Sequence, residues 1–234
     1  MSRRLEHNPN LFLHSGGRWN GLPVQTACGP LIVSYLRSIL QVLTYATEEY
    51  SRVCGMRFDL RIPIDWPETP NTVITRFKRS LSAQIEADLS RRVGLGRRRI
   101  PCRLRYIWVR ERKDSHHHHY HVVILVNRDA YFSLGSYLLD SASKCAGAFG
   151  SRSSGYGTSM AQRIQIAWAR ALGISEQNVA GLVFFPKNAV YSIDRNSPDF
   201  VADFERLFHR LSYFAKADTK EYGNQSHNFG HSQG

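Results

Sequence analysis

Cysteine is sparse in this 234-residue chain and poorly placed for cross-linking. Cys28, Cys54, Cys102 and Cys145 lie far apart and form no C-x-x-C pair, which argues against a zinc ribbon or a disulfide framework and for reduced, buried thiols. No run of about 18 apolar residues exists, so no membrane-spanning helix is expected. The first residues, Met1-Ser2-Arg3-Arg4-Leu5-Glu6-His7-Asn8, lack the apolar core of an export signal. A cytoplasmic location without a membrane partner is the resulting expectation. Acid is also short. Asp plus Glu number 19 against 31 Lys plus Arg, so the net charge is +12 and the pI about 9.9. That excess favours an anionic polymer such as nucleic acid as partner. A Walker-type Gly-Lys-Ser/Thr stretch is missing too, so any work that needs a nucleotide-driven motor falls to another protein.

The length suits one globular unit with a small extension. Residues 1–25, rich in Asn, Gly, Pro and Arg, read as an irregular lead-in. Pro30 opens an expected helix to about Tyr50, with Leu31, Ile32, Tyr35, Leu36, Ile39, Leu40, Leu43 and Ala46 at helical spacing. Residues 1–52 thus form a lead-in and helix packed on a main domain of 53–220, and 221–234 read as a disordered tail. From Cys54 the period switches to two: Cys54, Met56, Phe58, Leu60, Ile62 and Ile64 alternate with a polar face carrying Arg57, Asp59 and Arg61. A helix follows, with Val73, Phe77, Leu81, Ile85 and Leu89 in one stripe and Gly94-Leu95-Gly96 at its end. The next strand, about 99–112, places Arg103, Arg105, Ile107, Val109 and Glu111 on one face. A short connection leads into the strand from 119, which makes the two an antiparallel hairpin. Residues 142–158, small and Gly- and Ser-rich with Lys144 and Arg152, read as a mobile basic loop. A helix over 159–172 ends at Gly173, a strand is expected at 181–185, and Ser197-Pro198-Asp199 opens a last helix to about 217. The order strand, helix, strand, strand, helix, strand, helix is that of an α+β, ferredoxin-like (split βαβ) antiparallel sheet. Helices cover one face and the other is left to function; an N-terminal helix and a C-terminal, tyrosine-bearing helix are added.

The stretch that stands out is Ser115-His116-His117-His118-His119-Tyr120-His121, running into Val122-Val123-Ile124-Leu125-Val126-Asn127. Strand alternation sends His119 and His121 to one side and Tyr120, Val122, Ile124 and Val126 to the core side. Two imidazoles on one face are a ready pair of metal ligands, whereas His116 to His118 read as a solvated loop. In the last helix Phe200, Phe204, Leu207, Phe208, Leu211 and Phe214 form an apolar stripe. Arg206, His209, Arg210, Tyr213, Lys216 and Lys220 fall three or four apart on the opposite, exposed face, which sets Tyr213 among cations.

His119-Tyr120-His121 and Tyr213-Phe214-Ala215-Lys216 resemble, in order and spacing, the His-hydrophobic-His and tyrosine motifs of HUH rolling-circle replication initiators and relaxases. In detail Phe58-Asp59-Leu60, Trp108-Val109-Arg110-Glu111, His119-Tyr120-His121-Val122, the segment 127–132, Gly181-Leu182-Val183 and the segment 211–220 look like the inovirus gene II-like YagK/YfjJ-type family. The resemblance covers residues from about 50 to 220. It implies that His119 and His121 bind a divalent metal with a third polar ligand, and that Tyr213 nicks one DNA strand by forming a 5′-phosphotyrosine. Some initiators carry two tyrosines about one turn apart; His209 and Ala217 occupy those turns here, which implies a single-tyrosine enzyme.

The chemistry agrees. A cation would neutralise the scissile phosphate as charge develops. Glu111, on the antiparallel neighbour, is the economical third ligand and Asp59 its rival, and mixed imidazole and carboxylate ligation suits Mn²⁺ or Mg²⁺. Lys216 would steady the phosphate or the phenolate. Arg57, Arg61, Arg103, Arg105, Arg206, Arg210, Lys216 and Lys220 are candidates to meet DNA phosphates. The expected partners are single-stranded or origin DNA and a separate host helicase and polymerase. The alternatives are a metal-dependent hydrolytic nuclease and a non-catalytic DNA-binding regulator on the same fold.

Overall fold

The lead-in holds more regular structure than its composition suggests. In the computed structural model, which describes residues 4–6, 8–63, 66, 70–111, 119–137, 158–218 and 227–233, strands β1 (Arg4–Leu5) and β2 (Asn8–His14) pair antiparallel. So do β3 (Arg18–Trp19) and β4 (Leu22–Pro23), joined through Asn20 and Gly21, both at positive φ as a two-residue hairpin turn requires. β5 (Leu31–Ile32) pairs with β2 and runs straight into α1 (Val33–Glu49). Pro30 is therefore not the first helical residue, because Leu31 and Ile32 are drawn into a ladder and buried. Strands this short, built from Asn, Pro, Gly and Arg, carry little intrinsic signal, and tertiary pairing creates them.

The main sheet follows the expected period of two. β6 (Arg52–Arg61) precedes α2 (Pro70–Gly94), and β7 (Arg105–Glu111) and β8 (His119–Asn127) form the antiparallel hairpin. Then come α3 (Met160–Leu172), β9 (Val183–Phe184), β10 (Val190–Asp194), α4 (Phe200–Ser212) and β11 (Phe229–His231). The strand order is β10-β6-β8-β7-β11, every neighbouring pair antiparallel, with β8 in the middle. The chain is thus a mixed α/β protein of antiparallel sheets and, among the described residues, four α-helices.

Three expectations change. The edge beside β6 is taken by β10, while 181–185 supplies only the two residues of β9. The last helix stops at Ser212 and tightens into a 3₁₀ turn over Tyr213–Ala215. The tail is not wholly disordered, for β11 returns to pair with Ile107–Val109. Of the basic loop expected at 142–158 all but Thr158, together with His116 to His118 and Lys220, lies outside the described residues.

The chain divides into two compact units: Met1–Trp66 with Cys102–Phe132 and Phe184–Gly234, and Pro67–Pro101 with Ser133–Val183. The lead-in therefore belongs with the sheet. In the second unit α2 and α3 pack through Phe77 edge-on to Trp168, with Asp88 buried between Arg92 at 2.6 Å and Arg163 at 3.0 Å. Ser159 caps α3 in a capping box and Gly173 closes it at positive φ. Cys28, Cys54 and Cys102 are free thiols, and no described helix is long and apolar enough to cross a membrane.

In the first unit one sheet face, carrying Val53, Ile107, Val109, Val123 and Leu125, packs against Leu36, Ile39 and Leu43 of α1 and Leu207, Phe208 and Leu211 of α4. Each such side chain contributes roughly 1.5–3 kcal/mol on burial. Gly55 lets α4 come close, since a Cβ there would lie 3.0 Å from Leu207 and 3.2 Å from Leu125. This is the face on which His119 and His121 also point. The histidine face is consequently not a bare functional surface opposite the helices, but the margin of a helix-covered core.

β11 offers a test of the edge pairing. A Cβ at Gly230 would lie 2.6 Å from the buried Trp108 ring, which itself packs edge-on to Tyr120, so something must shift. Gly230→Ala is expected to cost roughly 1–3 kcal/mol, the usual price of overpacking. Urea denaturation checks this, and a wild-type midpoint would mean that β11 does not hold against β7.

Candidate metal centre and tyrosine site

Register brings the polar groups together. Across the sheet His121 faces Asp59 of β6 and Val109 of β7, and His119 faces Arg61 and Glu111. Directly opposed residues of antiparallel strands share a face, so Asp59, Arg61, Glu111, His119 and His121 all emerge on one side at one end of β8.

Glu111 and Asp59 occupy different edges of the His121 ring. Glu111 Oε2 lies 3.2 Å from His121 Nε2 and 4.0 Å from His119 Nε2. Asp59 Oδ1 lies 2.7 Å from His121 Nδ1. One ligand atom each from Glu111, His119 and His121 can be drawn within 4.8 Å of one another, a group that could hold a metal ion. Asp59, on the far nitrogen, is instead placed to orient the ring, as carboxylates do behind metal-binding histidines. The donor set of two imidazoles and a carboxylate fits a divalent cation. So does Glu111 Oε1, a buried oxygen with no hydrogen-bond partner among the described residues.

The charges in this cluster depend on one another. Burial alone would raise the Asp59 carboxyl, but the hydrogen bond and charge of His121, followed by Arg57, outweigh it and hold the group below its ordinary value. Glu111 is likewise raised by burial yet brought down to about 2 by His121 and Lys216. Burial pushes His121 down, and its two carboxylate partners push it up further, so its pKa is raised. His119 is lowered, first by burial and then by the neighbouring His121 charge, which favours the neutral ring a metal needs. Arg57 Nη2 lies 3.3 Å from His121 Nδ1 and 3.4 Å from Asp59 Oδ1. Because a charged imidazole carries a proton on Nδ1, Asp59 is the acceptor for both.

Tyr213 is half-buried and edge-on to His121, with ring centroids 5.6 Å apart, rather than on an exposed cationic face. The next residue, Phe214, is fully buried and stacks on the same imidazole, with ring centroids 6.1 Å apart. Lys216 is buried, forms an ion pair with Glu111 at 2.7 Å and donates a hydrogen bond to the Tyr213 hydroxyl. Burial lowers the lysine, but Glu111 and Tyr213 raise it further, so its ammonium form is secured.

Residues outside the motifs hold this turn. Leu31 bridges Lys216 in antiparallel fashion, and the Ala217 N–H donates to the Pro30 carbonyl at 3.0 Å. Gln25 donates through its side chain to the carbonyls of His209 and Arg210, and through its backbone N–H to Ser212 Oγ, covering the end of α4. No sequence periodicity flags Gln25, Pro30 or Leu31 for this purpose.

The candidate phosphate contacts divide. Arg57 and Arg105 are buried, Arg57 with Asp59 and His121 and Arg105 with Glu49 at 2.7 Å, so neither stands on the open basic surface expected of them. Arg61 and Arg103 are exposed, Arg61 beside His119 at the strand end and over the Phe184 ring. Arg206 is exposed and paired with Asp203 at 3.0 Å, and Arg210 is partly buried.

These shifts set a pH profile for the metal-free protein. His121 is held above its ordinary 6.5, so its contribution to stability is complete below that value and is lost as pH rises through the folded one. Asp59 and Glu111 are held below theirs, so their contributions are complete above about 4.5 and are lost on acidification, for Glu111 towards about 2. The urea midpoint should therefore peak between roughly pH 4.5 and 6.5. At about pH 7.5, Mn²⁺ should raise the wild-type midpoint but not that of Glu111→Gln, since a ligand of the folded state stabilises by RT ln(1 + [L]/Kd). Equal midpoints with and without Mn²⁺ in the wild type would remove the metal assignment.

Comparison with known proteins places this geometry. The chain is 35% identical over 214 residues to a protein of Escherichia coli (strain K12) carried as "Uncharacterized protein YagK", a match covering 88% of this chain and 95% of that one. It is 30% identical over 219 residues to "Uncharacterized protein YfjJ" of the same strain, covering 88% and 97%. No solved structure matches it. The model of the YagK/YfjJ C-terminal domain matches residues 18–232, a span that includes the sheet, both histidines, Glu111, Tyr213 and Lys216, and the chain belongs to that family.

Proposed function

We propose that this protein is an HUH-type, single-tyrosine replication-initiator endonuclease. It would nick and rejoin single-stranded DNA at an origin through a 5′-phosphotyrosine, in rolling-circle replication of a phage or plasmid-like element. The observation that carries the reading is the meeting of the Glu111, His119 and His121 donors with a phenol, Tyr213, that is tied to Glu111 through Lys216. The antiparallel order β10-β6-β8-β7, with helices between strands, supports reading the fold as ferredoxin-like, the split βαβ arrangement.

In this reading Tyr213 Oη gives up its proton and attacks the scissile phosphorus; the phosphotyrosine bond forms as the bond to the 3′ oxygen breaks, and that oxygen takes up a proton and leaves as a hydroxyl. Lys216 donates to the phenol oxygen and offsets charge that develops there. Glu111 holds the ammonium in place, while Asp59 and Arg57 fix the His121 ring. A divalent cation, Mn²⁺ or Mg²⁺, held by His119, His121 and Glu111 would supply Lewis acidity to the phosphate. Covalent capture keeps the phosphodiester energy, so the 3′-hydroxyl can prime synthesis and the step can reverse. Such a protein works in the cytoplasm beside a host helicase and polymerase.

The regulator alternative draws on one observation: the charged groups of the cluster already pair with one another through His121 and Lys216.

Incubation with single-stranded oligonucleotides and Mn²⁺ tests the reading. A protein band shifted by covalent DNA is expected, with peptide mapping to the segment containing Tyr213, and none in Tyr213→Phe. An adduct that persists in Tyr213→Phe would reassign the nucleophile, and hydrolysis without adduct would select the water-using nuclease. His119→Ala should abolish the adduct with little loss of stability, since that ring is partly exposed. His121→Ala is expected to cost roughly 3–5 kcal/mol as well, because it leaves Asp59 and Glu111 without their shared cation.

A further inference from the structure

Between β10 and α4 lies a 490 Å³ cleft. Arg206, His209 and Arg210 line it from the helix, and Asn188, Tyr191 and Ser192 from the strand and the residue two before it. Asp203 also faces it, but its carboxylate is taken by Arg206 at 3.0 Å, which leaves Arg210 without an acidic partner among the lining groups. Arg210 Nε is buried and has no hydrogen-bond partner among the described residues. A guanidinium without a carboxylate partner among the groups that line the cleft is a phosphate-seeking group, and its planar fork suits a phosphate's oxygens better than an ammonium would.

Position adds to the chemistry. Asp203, Arg206, Arg210 and Tyr213 are spaced three or four residues apart, so they follow one another along one side of the chain. Arg210 precedes Tyr213 by about one turn, roughly 5 Å along the axis. Arg210 is near enough for its charge to act on Arg57, whose Nη2 lies 3.3 Å from His121 Nδ1 and 3.4 Å from Asp59 Oδ1, so Arg210 stands towards the histidine cluster.

We propose that this cleft is a second phosphate site, separate from the metal cluster, in which Arg210 holds a phosphodiester next to the one presented to Tyr213 and so sets the register of the strand across the phenol. The identity of the ligand as a nucleic-acid strand rests on the nicking reading; the anion chemistry does not.

The test uses the full chain carrying Tyr213→Phe, so that no adduct forms, and a short labelled single-stranded oligonucleotide titrated at several salt concentrations. Arg210→Gln should weaken binding by about fivefold or more, the effect of one charged hydrogen bond. It should also reduce the slope of log affinity against log salt by about 0.7, the share of one single-strand phosphate. Ser192→Glu, which puts a carboxylate into the cleft without touching α4, should weaken binding similarly and decides the matter if urea denaturation shows Arg210→Gln to be unfolded. Inorganic phosphate should compete with the oligonucleotide, and less so once Arg210 is replaced. Wild-type affinity and slope in folded Arg210→Gln would overturn the proposal. Phosphate binding lost in Arg210→Gln with oligonucleotide affinity unchanged would make the cleft a small-anion site, and would overturn it too. Failure of the wild-type protein to form any adduct would sink the nicking reading and leave these binding results standing.

Discussion

The buried carboxylate of Glu111 is the constraint from which the site is built. At 2% exposure it cannot remain charged without partners, since an isolated ion taken out of water loses several kcal/mol of hydration. Its partners come from two other places, His121 on the central strand and Lys216 on the turn after α4. Lys216 reaches it because Leu31 and Pro30 pin the turn from the segment before α1. A single carboxylate thus ties β7, β8, the end of α4 and the lead-in into one arrangement, and the apolar packing of α1 and α4 on the sheet supplies the burial that makes those ties strong.

Charge accounting shows what the arrangement is ready to accept. Asp59 and Glu111 are two anions, and Arg57, Lys216 and the charged His121 are three cations, with His119 neutral, so the cluster carries one excess positive charge. Exchange of the proton on His121 Nε2 for a divalent ion raises that excess to two. A phosphodiester, with one negative charge, meets attraction in either state. Glu111 Oε1 adds a lone pair that donors among the described residues leave unused. Such a site favours an anionic ligand with or without a bound cation.

Period-two alternation made β6, β7 and β8 legible, together with the shared face of Asp59, Glu111 and the histidines, because strand geometry leaves side chains two directions only. It put Glu111 ahead of Asp59 only through the hairpin that makes β7 the neighbour of the histidine strand, without the geometry that separates their roles. Those roles depend on which ring nitrogen each carboxylate meets, and cross-strand register decides it. Arg57 and Arg105 looked like solvent-facing cations for the same reason: alternation assigns a face, not whether a helix or a carboxylate covers it. Tyr213 was recognised by residue type and spacing, yet extending α4 to about 217 placed it on an open surface. The helix in fact ends at Ser212, through contacts with Gln25 that are 184 or more residues distant in sequence. β11 escaped notice because a three-residue strand containing Gly230 has no propensity of its own and depends on the Trp108 edge it covers.

The placement of the phenol at the end of a helix carries its own electrostatic argument. A helix C-terminus bears about half a negative charge on its unpaired carbonyls, which opposes negative charge developing on a nearby oxygen. Gln25 engages two of those carbonyls, on His209 and Arg210, and Lys216 brings a full positive charge to the Tyr213 hydroxyl. The lysine is in turn held by Glu111, the same carboxylate whose other neighbours are the histidines. Any change of partner at Glu111, such as the arrival of a cation, therefore acts directly on the group that steadies the phenol. In this fold the donors that could hold a metal and the tyrosine are not two sites side by side. They share one carboxylate, and through it the state of one sets the charge environment of the other.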